Sequence, residues 1–112
     1  MAVNDLTQEI TDLHADICSA LADTSRILIL YALADKPLNV SDLAEKINIS
    51  QPSASRHLKI LRERGLVQAE RQGVNVIYHL TDHRLIQALD LLRMVLRDRI
   101  AYRAGLMTTS RD

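Results

Sequence analysis

With 112 residues, no net formal charge, 47% hydrophobic and 25% charged residues, the chain suits one globular domain and does not have the composition of a disordered polymer. Aromatic residues make up 3%, with no Trp and no Phe, so the core is aliphatic and single-strand binding by base stacking is disfavoured. The longest apolar run, Ile27 to Ala34, is well short of the ~20 residues that span a bilayer, and the stretch from Met1 to Asp12 has acids but no base, unlike a secretory signal; the chain reads as cytoplasmic, with no membrane partner.

Leu6, Ile10, Leu13, Ile17 and Leu21 step by 4, 3, 4 and 4, the apolar stripe of a first amphipathic helix. Asp23 is positioned to cap a second helix, Thr24 to about Ala34, too apolar for a surface and therefore expected in the core. Pro37 stops it. Asn39 caps a short third helix, Val40 to Ile47, in which Asp42 takes the capping-box position. The turn Asn48-Ile49-Ser50 leads to a fourth helix, Gln51 to Arg64, with Pro52 in its first turn and Gly65 as a left-handed C-terminal cap.

Beyond Gly65 the apolar period falls to two. Leu66 to Arg71 and Val74 to Leu80 read as strands around a turn at Gln72-Gly73. Thr81 caps a last helix, Asp82 to about Ala104, and residues 105–112 read as a loose tail. The fold class is mainly α with a small β-hairpin: a winged helix-turn-helix of about five helices and a two-stranded wing over residues 1–104.

Charge follows this order. Residues 1–49 hold three basic and eight acidic residues, whereas residues 50–80 hold five basic and two acidic. The fourth helix keeps Ala54, Leu58 and Leu61 on one face and gathers Gln51, Ser53, Ser55, Arg56, Lys59 and Arg62 on the other, with His57 at the boundary. Such side chains suit base edges and phosphates, and no acid interrupts the helix's first half. With Ser41 on the third helix and Arg71, Gln72 and Asn75 at the wing tip, they form the expected DNA-binding set. Leu85, Ile86, Leu89, Leu91, Leu92, Met94, Val95 and Leu96 cover more than one face of the last helix, more than a terminal helix buries in a small domain. A homodimer is therefore expected, its interface drawn from Leu6, Ile10, Leu13 and Ile17 together with Leu85, Leu89, Leu92 and Leu96.

Ala20 to Leu30, Val40-Ser41-Asp42-Leu43-Ala44, the string Ser50 to Leu61, Gly65-Leu66-Val67, and Gly73 with Tyr78 together resemble the ArsR/SmtB-type bacterial repressors, over about residues 10 to 100. The resemblance implies a homodimeric repressor whose fourth helix reads the major groove while the wing touches the flanking minor groove; two symmetric fourth helices in turn call for a pseudo-palindromic operator. It also implies release from DNA by a ligand, often a metal ion or a redox change. The family's third-helix metal site uses cysteines near the helix start, and Leu38 to Leu43 contain none. Its last-helix zinc site pairs an Asp and a His with two later His; here Asp82 and His83 are followed at the matching positions by Met94 and Arg97. No metal and no cofactor are therefore expected, and no inducer is assigned. Cys18 reads either as a small buried hydrophobe or, where two first helices meet, as a redox-active thiol. His14, His57, His79 and His83 show no ligand spacing. Without a phosphate loop, a nucleophile-histidine pattern or paired carboxylates, the chain is not expected to be an enzyme. A winged helix used only for protein contact is the remaining alternative, disfavoured by Arg56, Lys59, Arg62 and Arg64.

Overall fold

A computed structural model describes the backbone over residues 3–110 and side chains over residues 4–105. Helix α1 covers residues 3–21: an α-helical Val3–Leu13, a π-helical turn His14–Cys18, and a last α-helical turn Ser19–Leu21. Then follow α2 (Thr24–Asp35), α3 (Val40–Ile47), α4 (Gln51–Glu63), strands β1 (Val67–Gln72) and β2 (Asn75–Leu80), and α5 (Arg84–Ser110). The chain divides into two compact units, one ending at Asp82 and the other beginning at His83.

Three of the helix starts are fixed by the side chains expected from sequence. Asp23 accepts from the Arg26 N–H at 3.1 Å, Asn39 from the Asp42 N–H at 2.8 Å, and Ser50 from the Ser53 N–H at 3.2 Å. Each satisfies a backbone donor that has no partner inside its helix. Helix α3 ends on Asn48, whose backbone is left-handed at φ 60°, and the C-terminal turn of α4 passes through Gly65 at φ 76°. A side chain at Gly65 would meet nothing, so the cost there is conformational.

The core of the first unit is aliphatic and holds no buried polar residue among the described residues. Ile29, Leu30, Ala32 and Leu33 of α2 run through it, as expected, although Leu28 on the same helix stays 46% exposed. Leu43 and Ala44 of α3, Ala54, Leu58 and Leu61 of α4, and Leu66, Val67 and Leu80 at the base of the hairpin close around them.

The hairpin pairs Val67 with Leu80 and Gln72 with Asn75 in antiparallel register. Its two loop residues are Gly73 and Val74, one place later than expected. Positive φ at Gly73 and negative φ at Val74 are the sign pattern of a type II′ turn, whose twist matches that of the strands. Leu38, between α2 and α3, exchanges backbone hydrogen bonds with Tyr78 at 2.8 and 3.1 Å and anchors β2 along its outer edge.

In the second unit, α5 begins at Arg84, two residues after the expected start. The carbonyl of His83, not the side chain of Thr81, receives the first helical N–H groups, from Ile86 and Gln87. The helix also runs past Ala104 to Ser110, because a single Gly at 105 lowers helix propensity by only about 1 kcal/mol and no proline follows. Of the expected tail, Arg111 and Asp112 lie outside the described residues. No single described helix is long and apolar enough to cross a membrane.

The Asp23 cap carries a pH signature. The Arg26 N–H that it accepts holds its carboxyl below the usual value, against an opposing effect of burial. A carboxyl depressed in the folded state stabilises above its unfolded pKa, and that stabilisation is lost as pH falls through the folded value. Asp23→Ala should lose about 1 kcal/mol at pH 7 in urea unfolding, and the gap to wild type should narrow below about pH 4. An unchanging gap across that range would assign the loss to something other than the carboxylate.

Candidate nucleic-acid interface

The α3–turn–α4 arrangement presents one face of α4 to solvent. Its N-terminal turn is set by Ser50 and tolerates Pro52, because the first helical N–H groups have no intrahelical acceptor in any case. Ala54, Leu58 and Leu61 are buried with no exposed surface, which turns Gln51, Ser55, Arg56, Lys59 and Arg62 outward; Ser53 and His57 are half-buried. Ser41 is exposed on α3.

At the wing, Arg71, Gln72, Val74 and Asn75 are all exposed. Strand alternation puts Arg71 on the same face as the buried Val67 and as Tyr78, and puts Gln72 and Asn75 on the opposite face. The expected tip residues therefore diverge, and Arg71 alone shares the face that bears Tyr78. Ser55, Lys59, Arg62, Glu63 and Tyr78 line an open groove of about 410 Å³ between α4 and the wing. A second, of about 540 Å³, runs from Arg62 and Gly65 along β1 to Glu70 and His79.

Among the described residues, none of Arg56, Lys59, Arg62 and Arg71 forms an ion pair, so these cations remain available to a ligand. Two other arginines are committed internally. Arg64, which the sequence placed with the basic residues of this helix, turns away to donate to the Ala15 carbonyl at 2.7 Å and the Asp16 carboxylate at 3.3 Å. Arg26 donates to the Ala20 carbonyl at 2.7 Å and the Ser19 carbonyl at 3.3 Å, and lies 3.4 Å from His57 Nδ1. Neither arginine's role is visible in helical periodicity. Leu38, which fixes the wing through Tyr78, was also missed, because an isolated bridge leaves no period in the sequence.

The residues expected at a dimer interface fall into two groups. Leu6, Ile10 and Leu13 on α1 are 44%, 52% and 45% exposed, with Ile17 half-buried. On α5, Leu92 and Leu96 are 62% and 51% exposed, whereas Leu85 is half-buried and Leu89 keeps only 6% of its surface to offer a partner. Leu91, Met94, Val95, Ile100 and Tyr102 add further exposed apolar surface to α5. Cys18 lies on the π-helical turn and is exposed, so it is not the small buried hydrophobe that was one of its two expected readings. No cluster of three or more His, Cys, Asp or Glu side chains able to hold a metal ion occurs among the described residues.

This arrangement is shared with known proteins. Residues 23–69 match the model for bacterial regulatory proteins of the arsR family. The HTH-type transcriptional regulator NmtR of Mycobacterium tuberculosis is 43% identical over 76 residues, 68% of this chain and 63% of that protein. The chain thus spans less than two thirds of that regulator's length. A biofilm growth-associated repressor of Agrobacterium fabrum is 35% identical over 67% of each chain. The solution structure of a homodimeric winged helix-turn-helix DNA-binding domain from Mycobacterium bovis superposes with a TM-score of 0.74 at 26% identity, covering 88% of this chain and 91% of that one. The α3–turn–α4 unit, the hairpin anchored behind it and these similarities agree: the chain belongs to the ArsR family of bacterial regulatory proteins.

Proposed function

We propose that the chain is a homodimeric, cytoplasmic transcriptional repressor that binds a pseudo-palindromic site in double-stranded DNA. The observation that carries this reading is the solvent face of α4, where Gln51, Ser55, Arg56, Lys59 and Arg62 stand free opposite the buried Ala54, Leu58 and Leu61. A helix with amide, hydroxyl and guanidinium groups at its exposed N-terminal half can enter the major groove and read base edges, while Lys59 and Arg62 reach phosphates. Ser41 and the half-buried Ser53 and His57 supply backbone contacts beside it. Arg71 reaches the flanking minor groove or its phosphates, with Gln72 and Asn75 on the outer side of the tip.

Dimerisation is supported by the exposed apolar surfaces of α1 and α5, which a second copy would cover, and by the homodimeric state of the related M. bovis domain. Two symmetric copies of α4 require half-sites about one helical turn, or a multiple of it, apart.

Selection of duplexes from a random-sequence library by the full chain tests the reading, and enrichment of a two-half-site sequence is expected. Arg56→Ala should then weaken binding to that sequence by about 1–3 kcal/mol and relax preference at one base position. Equal loss on selected and random duplexes would make Arg56 a phosphate contact instead. Arg71→Ala should weaken both and lower the salt slope by roughly one unit. An unchanged slope would take the wing off the DNA.

A further inference from the structure

Helix α4 is linked to the end of α1 at two places, directly by Arg64 and indirectly through Arg26 of α2, and both arginines end on backbone carbonyls of residues 15–20. At the C-terminal end of α4, Arg64 Nη1 donates to the Ala15 carbonyl at 2.7 Å and to Asp16 Oδ1 at 3.3 Å. Seven residues earlier on α4, roughly two turns, His57 Nδ1 lies 3.4 Å from Arg26 Nη1. The same guanidinium holds the Ala20 and Ser19 carbonyls at the end of α1.

The π-helical turn is what makes the lower fastening available. The Ser19 N–H reaches back to the His14 carbonyl, so it is not spent on Ala15 as it would be in an α-helix. The Ala15 carbonyl instead accepts from the Ser19 hydroxyl and from Arg64. At the upper fastening, Arg26 meets carbonyls of the last helical turn, where intrahelical donors run out and the helix dipole favours a cation. The Arg64–Asp16 ion pair is exposed and by itself weak, so the charge-assisted bond to the Ala15 carbonyl carries the weight. Two attachments about two turns apart fix the rotation of α4 as well as its distance from α1.

The geometry points to Arg64 and Arg26 as positioning residues for DNA reading. They fix α4 on α1 and so, in the homodimer proposed above, on which this inference rests, they set the spacing and angle between the two copies of α4. Arg64 would then serve binding without touching DNA.

The test uses the full chain and a duplex that wild type enriches from a random library, together with the same duplex lengthened or shortened by one base pair between half-sites. Arg64→Gln should bind the selected duplex about ten-fold more weakly, the loss expected for a hydrogen bond to a charged group, with an unchanged salt slope. Its penalty for the altered spacers should fall to less than half that of wild type. Arg62→Gln, by contrast, should lower the salt slope and keep the wild-type spacer penalty. Arg64→Lys, which keeps one donor for the Ala15 carbonyl, should recover part of the spacer penalty, and it stands in should Arg64→Gln fail to melt cooperatively. A wild-type spacer penalty in the Arg64 variants overturns the inference. So does a salt slope lowered by about one, which would make Arg64 a phosphate contact, or a variant that sediments as a monomer where wild type is dimeric. Enrichment by wild type of a single half-site, or of no duplex, would instead sink the homodimeric DNA-binding reading, and this inference with it, before any variant is measured.

Discussion

If the proposed homodimer forms through α5, Leu92→Glu should leave a folded monomer whose affinity for a two-half-site duplex is about 100-fold lower or worse, the loss expected when two linked binding events become separate. Leu92 is 62% exposed on α5, so a glutamate there has water around it in the single chain. Exposed substitutions of this kind usually change stability by no more than about 0.5 kcal/mol. In a dimer the same carboxylate would lose its hydration against apolar neighbours, with no partner to repay it. Sedimentation and a DNA titration on the same preparation check both halves of the expectation. A dimeric Leu92→Glu protein would move the interface away from this part of α5.

Leu58→Ala should be the most destabilising single truncation on α4, by about 2–5 kcal/mol in urea unfolding. Leu58 has no exposed surface and sits midway between Ala54 and Leu61, on the face that holds the helix to the core. With total stability of a small domain about 5–15 kcal/mol, the loss would leave a measurable unfolded fraction at moderate temperature. The DNA affinity of the folded fraction should stay close to wild type, because Leu58 does not reach the solvent face. Destabilisation below about 1 kcal/mol would mean that the core collapses around the cavity, and that α4 is held chiefly by its arginine links and caps.

Much of the helix-turn-helix could be read from single residues because its signals are local. Asp23, Asn39 and Ser50 cap helices through a donor three residues ahead, Pro37 ends α2, and Gly65 supplies a left-handed turn. The outward face of α4 followed directly from the 4-and-3 spacing of Ala54, Leu58 and Leu61. Features that depend on distant partners were not legible. Arg64 looks like one more cation on a basic helix until the carbonyl of Ala15, 49 residues away, is found beneath it. Cys18, next to Ile17 of the apolar stripe, ends exposed on the π-helical turn. That turn did leave a trace: Leu13, Ile17 and Leu21 advance by two successive fours, more than the ~3.6 residues of an α-helical turn allow. One widened turn lets the apolar residues keep to one side. The start of α5 also differs: Thr81 donates its N–H to the Leu66 carbonyl at the end of the hairpin, and the first helical N–H groups go to the His83 carbonyl.

The anchoring of β2 by Leu38 also bears on strand-to-strand association between molecules. A two-stranded ribbon has two edges, each a row of backbone donors and acceptors able to recruit a strand from another molecule. Leu38 occupies part of one edge by bonding Tyr78 in both directions. The other edge belongs to β1, six residues long, whose solvent-facing positions include Gln68, Glu70, Arg71 and Gln72. A short strand with both signs of charge and no β-branched run is a poor template for stacked, amyloid-like growth. In the proposed homodimer, self-association would thereby be channelled away from open-ended strand addition and toward the apolar helix surfaces, where symmetry can close it at two copies.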